Sequence, residues 1–198
     1  MPVPLKIDFV SDISCPWCVI GLRALEQAMA RLDGQVAVDL HFQPFELNPQ
    51  MPPGGQDIDE HLQQKYGSTP EQAALVRERI RAAGAALGFT FSLQTRSRIY
   101  NTFDAHRLLH WAALEGHQLA LKQALFQAYF TDGEDPSNHQ VLIRAAARVG
   151  LDATRAAQIL DSNEFAAVVR KEQAFYQDQG IHAVPAVIIN NQHLIQGG

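Results

Sequence analysis

The chain has 198 residues, 46% of them apolar, enough for one large or two small globular domains. A formal charge of −5 argues against nucleic acid as the main partner, and no run approaches the ~18 consecutive apolar residues a membrane-spanning helix needs. The N-terminal MPVPLKIDFV has no basic stretch leading into a long apolar core, so the sequence predicts no secretory leader and a cytoplasmic location.

Leu5, Ile7 and Phe9 alternate with Lys6 and Asp8, which predicts a strand. SCPWCVIG, residues 14 to 21, follows it and holds both cysteines of the chain, Cys15 and Cys18. A Cys-x-x-Cys pair after a strand and at the opening of a helix is the pattern of a thioredoxin-like redox site. A helix N-terminus carries partial positive charge and unpaired N–H groups, and both favour a thiolate. Cys15 is therefore expected to have a lowered pKa and to act as the nucleophile. Cys18, one turn further along the same face, is expected to be more buried and to resolve the mixed disulfide. Pro16 suits the first helical position, where its missing N–H costs nothing. In a reducing compartment the pair rests mainly as thiols and the disulfide is a catalytic intermediate. Two competing readings are weaker. A zinc site would need His106 and His110 to complete a Cys2His2 set, although both are distant in sequence. A purely structural bridge of so short a span stabilises little.

The active-site helix is predicted from Pro16 to about Leu32, with Leu25, Ala28, Met29 and Leu32 as its buried stripe and Asp33-Gly34 as its stop. Val36, Val38, Leu40 and Phe42 alternate as a second strand, giving strand–helix–strand. The Pro- and Gly-rich stretch 42–56 reads as a loop, and a domain boundary is expected near Asp57. From there to about Leu160 the pattern is almost wholly helical. Thr69-Pro70-Glu71 opens one helix, which ends at Gly88; polar residues 92–98 link to the next, capped by Asn101 or Thr102 and ending at Gly116. Another runs from Gln118 to Thr131, with Phe126, Tyr129 and Phe130 as core. Ser137 with Gln140, and Asp161 with Glu164, look like capping boxes for later helices. Val187 to Ile189 and His193 to Ile195 form a hairpin around Asn190-Asn191, and the chain ends at Gly197-Gly198. The prediction is an α/β thioredoxin-type β-α-β and α-β-β frame, residues 1–56 and 161–198, with an all-helical domain, 57–160, inserted in it.

AVPAVIIN, residues 183 to 190, carries the second chemical signal. Proline is confined to strand starts and edges, and a cis Val184–Pro185 bond beside a Cys-x-x-Cys site would present the Val184 backbone to an extended substrate. With DFVSDISCPWCVIG, FELNP, NTFDAHRLL, LFQAYF and GIHAVPAVIINNQHLIQGG, the chain resembles the DsbA-like thioredoxin-fold oxidoreductases, and within them the FrnE-type branch of dithiol–disulfide isomerases. The resemblance implies a thioredoxin fold interrupted by helices, thiol–disulfide exchange at Cys15 and a cis Pro185. It departs from the pattern in two places. The family's helix after the last hairpin does not follow Gly198, which predicts an exposed sheet face. The family's buried carboxylate six residues before the first cysteine is here Phe9, which leaves the proton acceptor for Cys18 unassigned between Asp8, Asp12 and other groups.

Trp17 is expected to contact substrate, together with Val184 and with His106 reaching in from the helical segment; His182 is a further candidate for holding the thiolate. The predicted partner is a thiol or disulfide, protein or small molecule, with neither nucleic acid nor membrane. No metal or organic cofactor is expected beyond the redox pair, with glutathione as a candidate co-substrate. The rival activity is that of glutathione-dependent isomerases and kappa-class transferases, whose fold resembles this one. They typically carry serine in place of Cys15, and the intact pair argues against them.

Overall fold

A computed structural model describes residues 2–32, 34–92 and 96–197. Asp33 of the predicted helix stop, 93–95 of the predicted linker and the terminal Gly198 lie outside the described residues.

The alternating pattern of the first segment forms β1 (Val3–Ser11), and Pro16 opens α1 (Pro16–Arg31) at its first turn with Cys15 as N-cap. β2 (Val36–Pro44) pairs parallel to β1, with Phe9 opposite Phe42 and their rings 5.7 Å apart. The hairpin at the far end of the chain is β5 (Ala186–Ile189) and β6 (His193–Gln196), turned by Asn190 and Asn191 at φ 51 and 56. β5 runs antiparallel to β1, which gives the sheet order β2-β1-β5-β6.

Between β2 and the hairpin come α2 (Ile58–Tyr66), α3 (Pro70–Ala86), α4 (Phe103–Leu114), α5 (Gln118–Phe126) with a π-helical continuation Gln127–Thr131, α6 (His139–Arg148), α7 (Ala153–Leu160) and α8 (Ala166–Asp178). Two short strands that the sequence pattern does not show, β3 (Gln56–Asp57) and β4 (Arg98–Ile99), pair antiparallel at the edge of this block. At two residues each, they are too short for any periodicity to register. One buried cluster runs from Phe9 and Cys18 through Leu108 and Trp111 to Phe126, Tyr129 and Phe130, so sheet and helices share a core.

Three local expectations are corrected. The buried face of α1 is Cys18, Val19, Ile20 and Leu22; Leu25 and Met29 are half-buried, and Ala28 and Leu32 are exposed. The N-terminal half of α1 is the part that meets the sheet: a Cβ on Gly21 would stand 3.1 Å from Pro185 Cγ and 3.6 Å from Phe9 Cζ. α6 is capped by Asn138, whose Oδ1 accepts from the N–H of Gln140 and Val141, because the Ser137 hydroxyl donates to Asp135 instead. α8 has no side-chain cap; it starts after Phe165, at φ 62, and the Glu164 carboxylate pairs with Arg155 rather than completing a capping box with Asp161.

The Gly21 contact yields a prediction. Gly21→Leu must displace Pro185 or tilt α1, and overpacking of this kind costs about 1–3 kcal/mol. Urea unfolding at wild-type stability would show that the helix–proline approach is looser than 3.1 Å implies.

Candidate active site

The sheet register brings three segments to one place. β1 and β2 are parallel and end together, Ser11 opposite Pro44. β5 is antiparallel and begins at that same end, Ala186 opposite Val10. The loop before α1, the loop after β2 and the Val184–Pro185 segment therefore meet at the mouth of α1. The Val184–Pro185 peptide bond is cis. The Cys15 Sγ–H donates to the Val184 carbonyl at 3.5 Å, which places thiol and proline loop side by side.

Cys15 is 3% exposed and Cys18 fully buried, neither bonded to another sulfur. The Cys18 N–H donates to the Cys15 carbonyl at 3.1 Å, the closing turn of the helix start. Burial, reinforced by the hydrogen bond and charge of Cys15, pushes the Cys18 thiol well above its ordinary range, while the Lys122 ammonium pulls the other way. Pro16 and Trp17 are half-buried between the cysteines, and Trp17 packs against the shared core. Pro185 is buried against Gly21, Val184 is half-buried, and His182 is exposed on the turn before them.

His106 is 3% exposed, which puts it beneath the cysteine loop rather than on the surface a substrate meets. Its Nε2 stands 3.5 Å from Asp12 Oδ1, too long for a well-made hydrogen bond. His110 lies elsewhere, 3.4 Å from Glu172, so the two histidines do not converge with the cysteines. Among the described residues no group of three or more His, Cys, Asp or Glu is placed to hold a metal ion.

The residue that organises the site is Asp12. It is completely buried. Its carboxylate accepts from the Ser14 N–H at 3.3 Å, the Ser14 hydroxyl at 2.8 Å, the Leu47 N–H at 2.7 Å and the Thr102 hydroxyl at 2.7 Å. Burial alone would raise its pKa, but His106, the Leu47 N–H and the Thr102 hydroxyl together bring it down to about 2. Asp12 thus ties the cysteine loop to the loop after β2 and to the start of α4. It also explains why Thr102, the N-cap of α4, leaves its own helix uncapped by its side chain. Asp8 is engaged elsewhere, with Lys6 at 2.8 Å and Gln43 at 2.7 Å.

Two further neighbours went unnoticed in the sequence. Lys65 holds the Leu47 carbonyl at 2.8 Å and the Asn48 side chain at 2.7 Å. Tyr66, 60% exposed, lies close enough to Cys15 that partial burial and the Cys15 charge raise its phenol. Both end α2, whose apolar pattern is too sparse to have singled them out.

A mixed sheet carrying a Cys-x-x-Cys helix opposite a proline loop is the arrangement of a thioredoxin-type redox protein. The DSBA-like thioredoxin domain family matches residues 6–198, and the chain belongs to that family. It is similar to a probable DsbA oxidoreductase of Streptomyces coelicolor, at 29% identity and a TM-score of 0.89, over 98% of this chain and 83% of that one. Two other solved structures share the fold. A 2-hydroxychromene-2-carboxylate isomerase superposes at a TM-score of 0.72, 13% identity, 97% of this chain and 88% of that one. The cytosolic disulfide reductase DsbM of Pseudomonas aeruginosa, solved with glutathione, does so at 0.67, 17% identity, 96% and 89%. No helix among the described residues is long and apolar enough to cross a membrane.

Proposed function

We propose that the protein is a cytoplasmic thiol–disulfide oxidoreductase of the FrnE-type branch, acting as a dithiol–disulfide isomerase or reductase through Cys15 and Cys18. The observation that carries this is the placement of Cys15: at the N-cap of α1, one turn ahead of a buried second thiol and 3.5 Å from the Val184 carbonyl. The sequence resemblance supports the branch, and the cytosolic reductase among the structural neighbours supports the location. In this reading residues 1–56 and 161–198 form the redox frame and 57–160 an inserted helical domain.

Cys15 as thiolate attacks a substrate disulfide, displaces one sulfur and forms a mixed disulfide. Cys18 loses its proton and attacks Cys15 Sγ, which releases the second substrate thiolate and closes the Cys15–Cys18 disulfide. The substrate gains two electrons and the cysteine pair loses two. An external thiol, with glutathione the candidate, restores the pair, and with the flow reversed the same site oxidises. Trp17 and the Val184 backbone line the approach, Pro185 holds the loop, and His106 works through Asp12 rather than on the substrate.

The isomerase neighbour favours one second reading, a glutathione-dependent isomerase that does not use Cys18. Incubating the Cys18→Ser variant with glutathione disulfide separates the two. A covalent glutathionyl adduct on Cys15 is expected. No adduct, combined with glutathione-stimulated turnover of 2-hydroxychromene-2-carboxylate, would replace the first reading with the second.

A further inference from the structure

The exchange proposed above needs a base for Cys18, and Asp12 does not fit that role. A carboxylate held at about 2 by its buried donors is a poor acceptor near neutral pH. The structure supplies another group. Lys122, on α5, is completely buried, and its Nζ has no hydrogen-bond partner among the described residues. It sits over the rings of Phe126, at 5.0 Å, and Phe42, at 5.8 Å. An ammonium buried without a made hydrogen bond is costly, and it is retained here within electrostatic reach of Cys18, Asp12 and Cys15.

Lys122 is also connected to the outside. It lines a cavity of about 150 Å³ between β2, α4, α5 and α8, together with His41, His106, His110, Gln118 and Glu172. The inner end is closed by Lys122 and His106, both buried, whereas the His41 side chain is 41% exposed and that of Glu172 32%. The lining is mixed, with Leu109, Ala113 and Leu114 beside the polar groups, and a cavity of this size has room for several waters on those polar groups.

We propose that Lys122 is the proton acceptor for Cys18, and that the cavity between β2, α4, α5 and α8 carries the proton on to solvent. The neutral amine takes the Cys18 proton and becomes ammonium; the Cys18 thiolate forms the bond to Cys15 Sγ, and the Cys15–substrate bond breaks, leaving the electron pair on the departing sulfur. The ammonium then returns its proton through the cavity waters, or to that departing thiolate. The charged and titratable groups that act on Lys122 or share its cavity are Asp12 in the cysteine loop, Cys15 at the N-cap of α1, Cys18 within α1, His41 on β2, His106 and His110 on α4, and Glu172 on α8. Burial draws the ammonium down to about 8, against the opposing pull of Cys18, Asp12 and Cys15. That is a range in which it gives and takes protons at physiological pH.

The proposal rests on the exchange reading, and its test keeps the two apart. Reduced protein is mixed with glutathione disulfide, quenched with acid at intervals, and the mixed and closed disulfides are resolved by mass. Absence of any closed disulfide in the wild type would overturn the exchange reading itself, and the proposal with it. Given closure in the wild type, its rate should rise with pH through an inflection near 8. In Lys122→Met the inflection should vanish and closure at pH 7 should slow about 10²-fold, with the mixed disulfide accumulating. Lys122→Arg keeps a cation that does not surrender its proton, so it should not restore the wild-type profile. A wild-type profile in either variant would overturn the proposal. Where both variants fail to fold, NMR of the Lys122 side chain in the unmodified protein decides. Titration near pH 8 in the reduced state, shifted on disulfide closure, is expected; no titration below pH 10 would overturn it.

Discussion

Cys15→Ser should abolish thiol–disulfide exchange, lowering the rate by at least ~10³-fold, whereas Cys18→Ser should retain the first step and stop there as a mixed disulfide. The asymmetry follows from the two environments. Cys15 stands at the helix N-cap, against the Val184 carbonyl and next to the half-buried Trp17. Cys18 is fully buried one turn in, and burial together with Cys15 raises its thiol. An incoming disulfide therefore meets Cys15, and Cys18 enters only by intramolecular attack. Single-turnover trapping with a small disulfide, followed by mass, measures both variants. Exchange persisting in Cys15→Ser would assign the nucleophile wrongly.

Asp12→Ala should be the most destabilising polar substitution in the site, costing about 3–5 kcal/mol. It removes the shared acceptor of the Thr102 hydroxyl, the Ser14 N–H and hydroxyl and the Leu47 N–H, and leaves them unpaired in a buried setting. It also unties three segments at once, because Ser14, Leu47 and Thr102 belong to the cysteine loop, the loop after β2 and α4. Asp12→Asn should be milder, since an amide keeps one acceptor oxygen. The native carboxylate adds a pH signature. Its folded pKa, about 2, is depressed from 3.8, so its stabilisation is fully present above pH 3.8 and is lost as pH falls through about 2. The difference amounts to roughly 2 kcal/mol. Urea unfolding between pH 5 and pH 2 should show this slope in the wild type and a reduced one in Asp12→Asn. Equal slopes would mean that Asp12 is as well solvated folded as unfolded.

The parts of the molecule that were legible in its sequence are those written in short-range chemistry. Proline directly after a cysteine marks a helix start, alternation marks β1 and β2, and Asn190-Asn191 marks a hairpin turn whose two residues adopt positive φ. What was not legible lies in long-range pairing. Asp12 meets Thr102 across 90 positions and Leu47 across 35, and no local pattern announces either. Lys122 occupies an apolar stretch, LALKQALF, where a lysine reads as a surface residue until the fold closes Phe42 and Phe126 over it. The expected capping box at Ser137 failed for a related reason. Asp135, Ser137 and Asn138 are all capable acceptors, and competition among them, decided by Asp135 engaging Ser137, selects Asn138.

The most direct test of the whole account is an equilibrium redox titration of Cys15 and Cys18 against glutathione, with Cys18→Ala as control. A single two-electron transition that closes the Cys15–Cys18 disulfide, at a potential between ~−270 and ~−120 mV, is the expected result. A value near the lower end would assign reduction as the working direction, and one near the upper end oxidation or isomerisation. If no disulfide closes at any poise, the pair is not a redox centre and the account built on it is wrong.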